Sequence, residues 1–84
     1  MSFDEVWNNI IRCAGQEFHT KTGLPFTYTV VDGYVMPNRT NYLLARQQFQ
    51  KAAEIPNITG PGQISDKVRG PSYVFAILTD PRIR

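Results

Sequence analysis

The dipeptide Asp32-Gly33, set between Phe26-Thr27-Tyr28-Thr29-Val30-Val31 and Tyr34-Val35-Met36, constrains this chain more than any other feature. Asp-Gly between two apolar, β-branched runs is the signature of a two-residue hairpin turn, because both central positions of that turn need positive φ. A two-residue turn also fixes register. It pairs Val31 with Tyr34, Val30 with Val35 and Thr29 with Met36. Alternation then puts Phe26, Tyr28, Val30 and Val35 on one face, which is apolar enough to be the core side. Thr27, Thr29, Val31, Tyr34 and Met36 fall on the other face.

Upstream, Glu17 to Lys21 reads as a third strand, joined to the hairpin through a turn at Thr22-Gly23-Leu24-Pro25. A loop of three or five residues places Phe18 and Thr20 with the core set, and Glu17, His19 and Lys21 with the outer face. The expectation is therefore a three-stranded antiparallel meander with one mixed outer face. Its ordinary reading is a solvated sheet face. Its functional reading is an interaction surface of His19, Val31, Tyr34 and Met36.

The segment before the sheet has helical rather than strand periodicity. Phe3, Val6, Trp7, Ile10, Ile11 and Ala14 recur at three- and four-residue steps, leaving Asp4, Asn8, Asn9 and Arg12 for solvent. Ser2 and Glu5 fit a capping box, Met1 and Val6 a hydrophobic staple, and Gly15 the left-handed residue that ends a helix.

A second helix follows Pro37. Tyr42, Ala45, Phe49, Ala52 and Ala53 keep helical spacing, but Asn41 to Leu44 also reads as a continuation of the sheet, with the helix starting near Ala45. Residues 45 to 54 are helical under either reading. From Glu54 on, Pro56, Asn57, Gly60, Pro61 and Gly62 break regular structure, and Ser65 to Arg69 can close one helical turn. The run Tyr73-Val74-Phe75-Ala76-Ile77-Leu78 is apolar throughout and so buried on all sides. Its β-branched and aromatic content suits a strand, while Pro71 and Ser72 at its start suit a helix. The helix is the reading taken, with the strand as the alternative. Arg82 and Arg84 read as a solubilising basic tail.

Eighty-four residues with 42% hydrophobic and 19% charged side chains make one small α+β domain. A chain of this length buries about two thirds of its unfolded surface, so its margin of stability is thin. Cys13 is the only cysteine, which excludes an internal disulfide and suits a reducing cytoplasm. Acids stand where a signal peptide carries basic residues, and the longest apolar run is too short to span a bilayer. A cytoplasmic protein is expected, with the Asn-x-Thr sequons at Asn38 and Asn57 incidental.

Net charge is +2, well short of a dedicated nucleic-acid binder, yet residues 21–84 carry eight of the nine Lys and Arg. Lys21, Arg39, Arg46, Gln50 and Lys51 are the candidate nucleic-acid contacts, since Arg and Gln read base edges and Lys neutralises phosphate. Catalysis finds no comparable set. Nucleophilic chemistry needs a nucleophile, a base and an orienting group together, and His19 is the only histidine. One His and one Cys do not make a zinc site, and Gly60-Pro61-Gly62 lacks the Gly-Lys-Ser/Thr of a phosphate loop. No catalytic residue, metal ligand or cofactor is assigned.

Two stretches carry a resemblance. They read Gly15-x-x-Phe18-x-Thr20-x-x-Gly23-x-Pro25-Phe26-x-Tyr28 and Gly70-Pro71-Ser72-Tyr73-Val74-x-Ala76-Ile77-Leu78-x-Asp80-Pro81-Arg82-Ile83. In these the chain resembles a group of short uncharacterised bacterial proteins. The resemblance implies a compact, stand-alone bacterial protein and transfers no site residue. The expected function is a small non-enzymatic binding module acting on nucleic acid through a basic helix and hairpin surface. The alternative is protein association or homodimerisation through the outer sheet face, as monomer or homodimer. A small hydrolase or nuclease built on His19 is the third reading.

Overall fold

The computed structural model describes residues 2–84, and its first element is the helix α1 (Phe3–Arg12). Ser2 is extended, and its Oγ accepts the Glu5 N–H at 3.3 Å, so one of the orphan donors of the first turn is satisfied. The staple expected from Met1 lies outside the described residues. Val6, Trp7 and Ile10 are buried, while Ile11, expected on the same stripe, is 47% exposed. Gly15 follows at φ +89°, the left-handed turn expected there.

The strands divide differently from the single meander read from the sequence. A two-stranded sheet forms from β1 (Phe18–His19) and β2 (Pro25–Phe26), with Phe18 opposite Phe26 across the five-residue loop Thr20–Leu24. The hairpin then forms from β3 (Tyr28–Val31) and β4 (Tyr34–Pro37) in the register that Asp32-Gly33 dictates. Both turn residues are left-handed, at φ +52° and +80°. The third strand of this sheet is β5 (Leu44–Ala45), so the order is β3-β4-β5 and Glu17–Lys21 takes no part in it.

The chain breaks at Thr27 because its neighbours are taken. Asn38 Oδ1 accepts the Thr27 N–H at 3.0 Å and the Asn38 N–H reaches the Thr27 carbonyl at 2.9 Å. The Tyr28 carbonyl, on the edge an upstream strand would occupy, instead accepts the Gly15 N–H at 2.9 Å. The turn after α1 thus caps the β3 edge.

With Leu44 in the sheet, helix α2 begins at Arg46 and runs to Ala53. Tyr42, placed on the stripe of this helix in one reading of the sequence, lies outside it. After a 3₁₀ turn at Pro61–Gln63 and a turn closed by the Val68 N–H on the Ile64 carbonyl, the apolar run forms helix α3 (Pro71–Leu78). Pro71 at its first position decides helix over strand, because its fixed φ suits the first turn and its missing N–H would have had no partner there.

One core joins these parts. The inner faces of both sheets supply Phe18, Phe26, Tyr28, Val35 and Leu44, and the helices supply Ile10, Phe49, Val74, Ile77 and Leu78. Ile64 and Ile83 enter from segments the sequence marks only as loop or tail, and Val68 from the helical turn expected at Ser65 to Arg69.

The C-terminal residues are also not a free basic tail. Asn9 Nδ2 donates to the Ile83 carbonyl at 2.8 Å, and Arg84 Nε donates to the Leu78 carbonyl at the end of α3 at 3.0 Å. Arg82 lies over the Phe18 ring at 4.0 Å, donates to Asp80, and reaches Gln16 Oε1 and the Glu17 carbonyl at 3.0 and 2.9 Å. The Arg82 hydrogen bonds hold the Asp80 carboxyl below the usual carboxylate range, and Asp80 in turn raises the Arg82 guanidinium.

Candidate interaction surface

Strand alternation and the two observed registers build the outer face of the β3-β4-β5 sheet. One row across it is Val31, Tyr34 and Ala45. The next begins with Thr29 opposite Met36, and continuing the β4–β5 register by one residue adds Leu43. Val35 and Leu44 point the other way and are fully buried. Val31, Tyr34, Met36, Tyr42 and Leu43 are 41–52% exposed, so five of the seven large exposed apolar side chains described belong to this sheet and its lead-in. Ile11 and Leu24, the other two, stand on α1 and in the β1–β2 loop. Isolated exposed apolar residues need no explanation, whereas a grouped set marks a contact surface.

The face is uneven along the strands. At the turn end, Val31 and Tyr34 are exposed side by side. At the open end a hollow of about 320 Å³ is lined by Thr27, Thr29, Met36, Asn38, Tyr42 and Leu43 among others, with no charged side chain in its wall. Asp32 and Arg39 flank opposite ends of the same hairpin. Among the described residues neither has an ion-pair partner.

Of the outer-face residues named from the sequence, Val31, Tyr34 and Met36 come together. His19 does not join them, because it lies on β1 in the other sheet, where Nε2 is 3.3 Å from Glu17 Oε2 with both side chains exposed. Leu43 is the member of the surface that sequence reasoning missed; Tyr42 borders the hollow, but its ring lies beside Leu44 near Gly70 with the Arg69 guanidinium 5.7 Å from its centre. The available signal was Leu44: once it is a core strand residue, alternation sends Leu43 outward.

The candidate nucleic-acid contacts are divided among three segments: Arg46, Gln50 and Lys51 on α2, Lys21 in the β1–β2 loop and Arg39 after β4. Lys21 Nζ donates to the Thr59 carbonyl at 2.8 Å. Arg46 pairs with Asp4 and lies 5.3 Å from the centre of the Phe3 ring, so it is spent on the α1–α2 contact. Gln50 borders a small hollow with Phe3, Ala53 and Arg84. Lys51 borders another hollow together with Glu54, Ile55, Asp66 and Lys67. Arg39 alone stands at the sheet, past the end of β4.

Among the described residues no hydroxyl or thiol hydrogen-bonds to His19, and no group of three His, Cys, Asp or Glu gathers where a metal could bind. Cys13 is buried in the core. Buried Tyr28 donates its hydroxyl to the Ile10 carbonyl at 2.6 Å, and burial raises its pKa above the ordinary phenol value. Among the described residues no helix is long and apolar enough to cross a membrane. No protein-family model, curated protein sequence or solved structure matches the chain.

Proposed function

We propose that the chain is a non-enzymatic association module that docks onto another protein surface with the outer face of its β3-β4-β5 sheet. The observation that carries this reading is the concentration of Val31, Tyr34, Met36 and Leu43 on one face, beside a hollow with no charged side chain in its wall. Apolar and aromatic side chains with few charges are the composition of interface centres. The face also sets exposed apolar side chains beside a hollow, which lets a partner side chain enter rather than merely touch.

The basic residues support nucleic-acid binding less well. Phosphate contacts act together along a backbone, and Lys21 and Arg46 are already bound within the fold at different places.

The test is photo-crosslinking in the cells that make the protein, with a photoreactive side chain at position 34 or 43 and, as a control, at Lys67. The expected result is the same discrete adduct from positions 34 and 43, identified by mass, absent from position 67 and lost when Met36→Lys is added. Adducts that do not distinguish position 67 from the sheet face, or no adduct from the face, overturn the reading.

A further inference from the structure

We infer that the occupant of this face is a second copy of the same chain, packed sheet on sheet about a two-fold axis that lies in the interface and runs across the strands. The inference rests on the docking-face reading and adds the identity of the partner. A two-fold interface must be self-complementary, with each patch meeting its counterpart on the other copy. This face has that property end to end. The exposed pair Val31 and Tyr34 is at the turn, and the hollow beside Met36, Tyr42 and Leu43 is at the opposite end. An axis across the strands reverses strand direction, so each copy's turn end lies over the other's open end. Tyr34 of each copy then enters the hollow of its partner, twice by symmetry. Aligned stacking of two sheets about 10 Å apart is the ordinary geometry for such inner faces.

Charge fits the same arrangement. Asp32 sits in the turn and Arg39 just past the far end of β4, and neither has an ion-pair partner within the described residues. Reversal of strand direction brings Asp32 of each copy toward Arg39 of the other, giving two opposite-charge contacts at the rim. An axis along the strands would instead set Asp32 against Asp32. Rim charges of this kind select orientation more than they add affinity. Three short strands offer less than the roughly 800 Å² per partner of a standard interface, so the dimer forms weakly and depends on concentration.

Sedimentation of the purified chain over a roughly hundredfold concentration range tests this. The expected result is a reversible rise toward the dimer value, abolished by Leu43→Lys with unchanged thermal unfolding. Asp32→Asn and Arg39→Gln each weaken the dimer several-fold, and the double variant is no weaker than either single one. Asn is chosen at 32 because it tolerates the positive φ of the turn. A chain that stays monomeric throughout, a Leu43→Lys variant that still dimerises, or fully additive effects at 32 and 39 overturn the proposed dimer. Crosslinks from positions 34 and 43 to a different protein would also overturn it while leaving the docking face standing.

Discussion

Tyr28 closes the end of α1 at Ile10. Its buried hydroxyl donates at 2.6 Å to the Ile10 carbonyl, which a continuing helix would have given to Ala14, whose N–H turns to Ile11 instead. The Tyr28 carbonyl accepts from Gly15 in return, so one strand residue satisfies groups on both sides of the helix end.

Removing that hydroxyl leaves the ring packed and the acceptor orphaned. Tyr28→Phe is expected to cost about 1–3 kcal/mol. Urea unfolding checks it, through a lower midpoint at an unchanged slope. Burial favours the neutral phenol, so the folded pKa lies above the unfolded value of about 10. This contribution is present in full below about pH 10 and is lost as pH rises toward the folded value. Tyr28→Phe flattens that alkaline decline.

Asp80 acts at the other end of the pH scale. Its folded pKa is lowered by the Arg82 hydrogen bonds, so its stabilisation is present above the unfolded value of about 3.9 and is lost as pH falls below it. Arg82 is 38% exposed, and solvent screening keeps the gain to about 1 kcal/mol or less. Denaturant midpoints followed from neutral to acid pH are expected to decline less steeply in Asp80→Asn. Arg82→Lys loses most of the benefit at neutral pH, since an ammonium cannot reproduce the guanidinium fork that reaches Asp80, Gln16 and Glu17 at once.

Gly70 and Gly33 separate strain from crowding. Both have positive φ, +62° and +80°. A Cβ at Gly33 meets nothing within 4 Å, whereas one at Gly70 comes within 3.0 Å of Leu44 Cδ2, a fully buried side chain. Gly33→Ala is expected to cost the left-handed strain alone, about 1–2 kcal/mol. Gly70→Ala costs more, because Leu44 must shift as well. Thermal unfolding of the two variants side by side gives the order.

Titration with duplex DNA and single-stranded RNA across salt concentrations addresses the basic residues. The expected result is weak binding with a shallow salt slope. A slope of log affinity on log salt of about −4 or steeper would mean that several cations engage phosphate together, and the nucleic-acid reading would replace the docking face.

The features legible in the sequence were those decided locally. Ser2 with the Val6–Ile10 periodicity specified α1, and Asp32-Gly33 specified the hairpin register residue for residue. Pro71 tipped an ambiguous apolar run toward α3. What escaped was decided by long-range contacts. Nothing local tells Tyr28 that its carbonyl will be taken by Gly15, yet that bond closes the β3 edge to Glu17–Lys21 and splits the sheet. Likewise Arg82 looks solvated until Phe18 and Glu17 are folded beneath it. The candidate surface was half legible for the same reason. Val31, Tyr34 and Met36 followed from the turn, while Leu43 depended on whether Leu44 extended the sheet or began the helix.

The bond from Asn9 to the Ile83 carbonyl spans 74 positions of sequence, and it bears on the order of events during synthesis. The apolar stripe of α1 leaves the ribosome before α3 and Ile83, which complete the core around it. Until then Trp7 and Ile10 lack part of their native cover. The nascent chain is therefore expected to stay protease-sensitive in this region until Ile83 has emerged, and to become resistant in a single step as Ile83 docks.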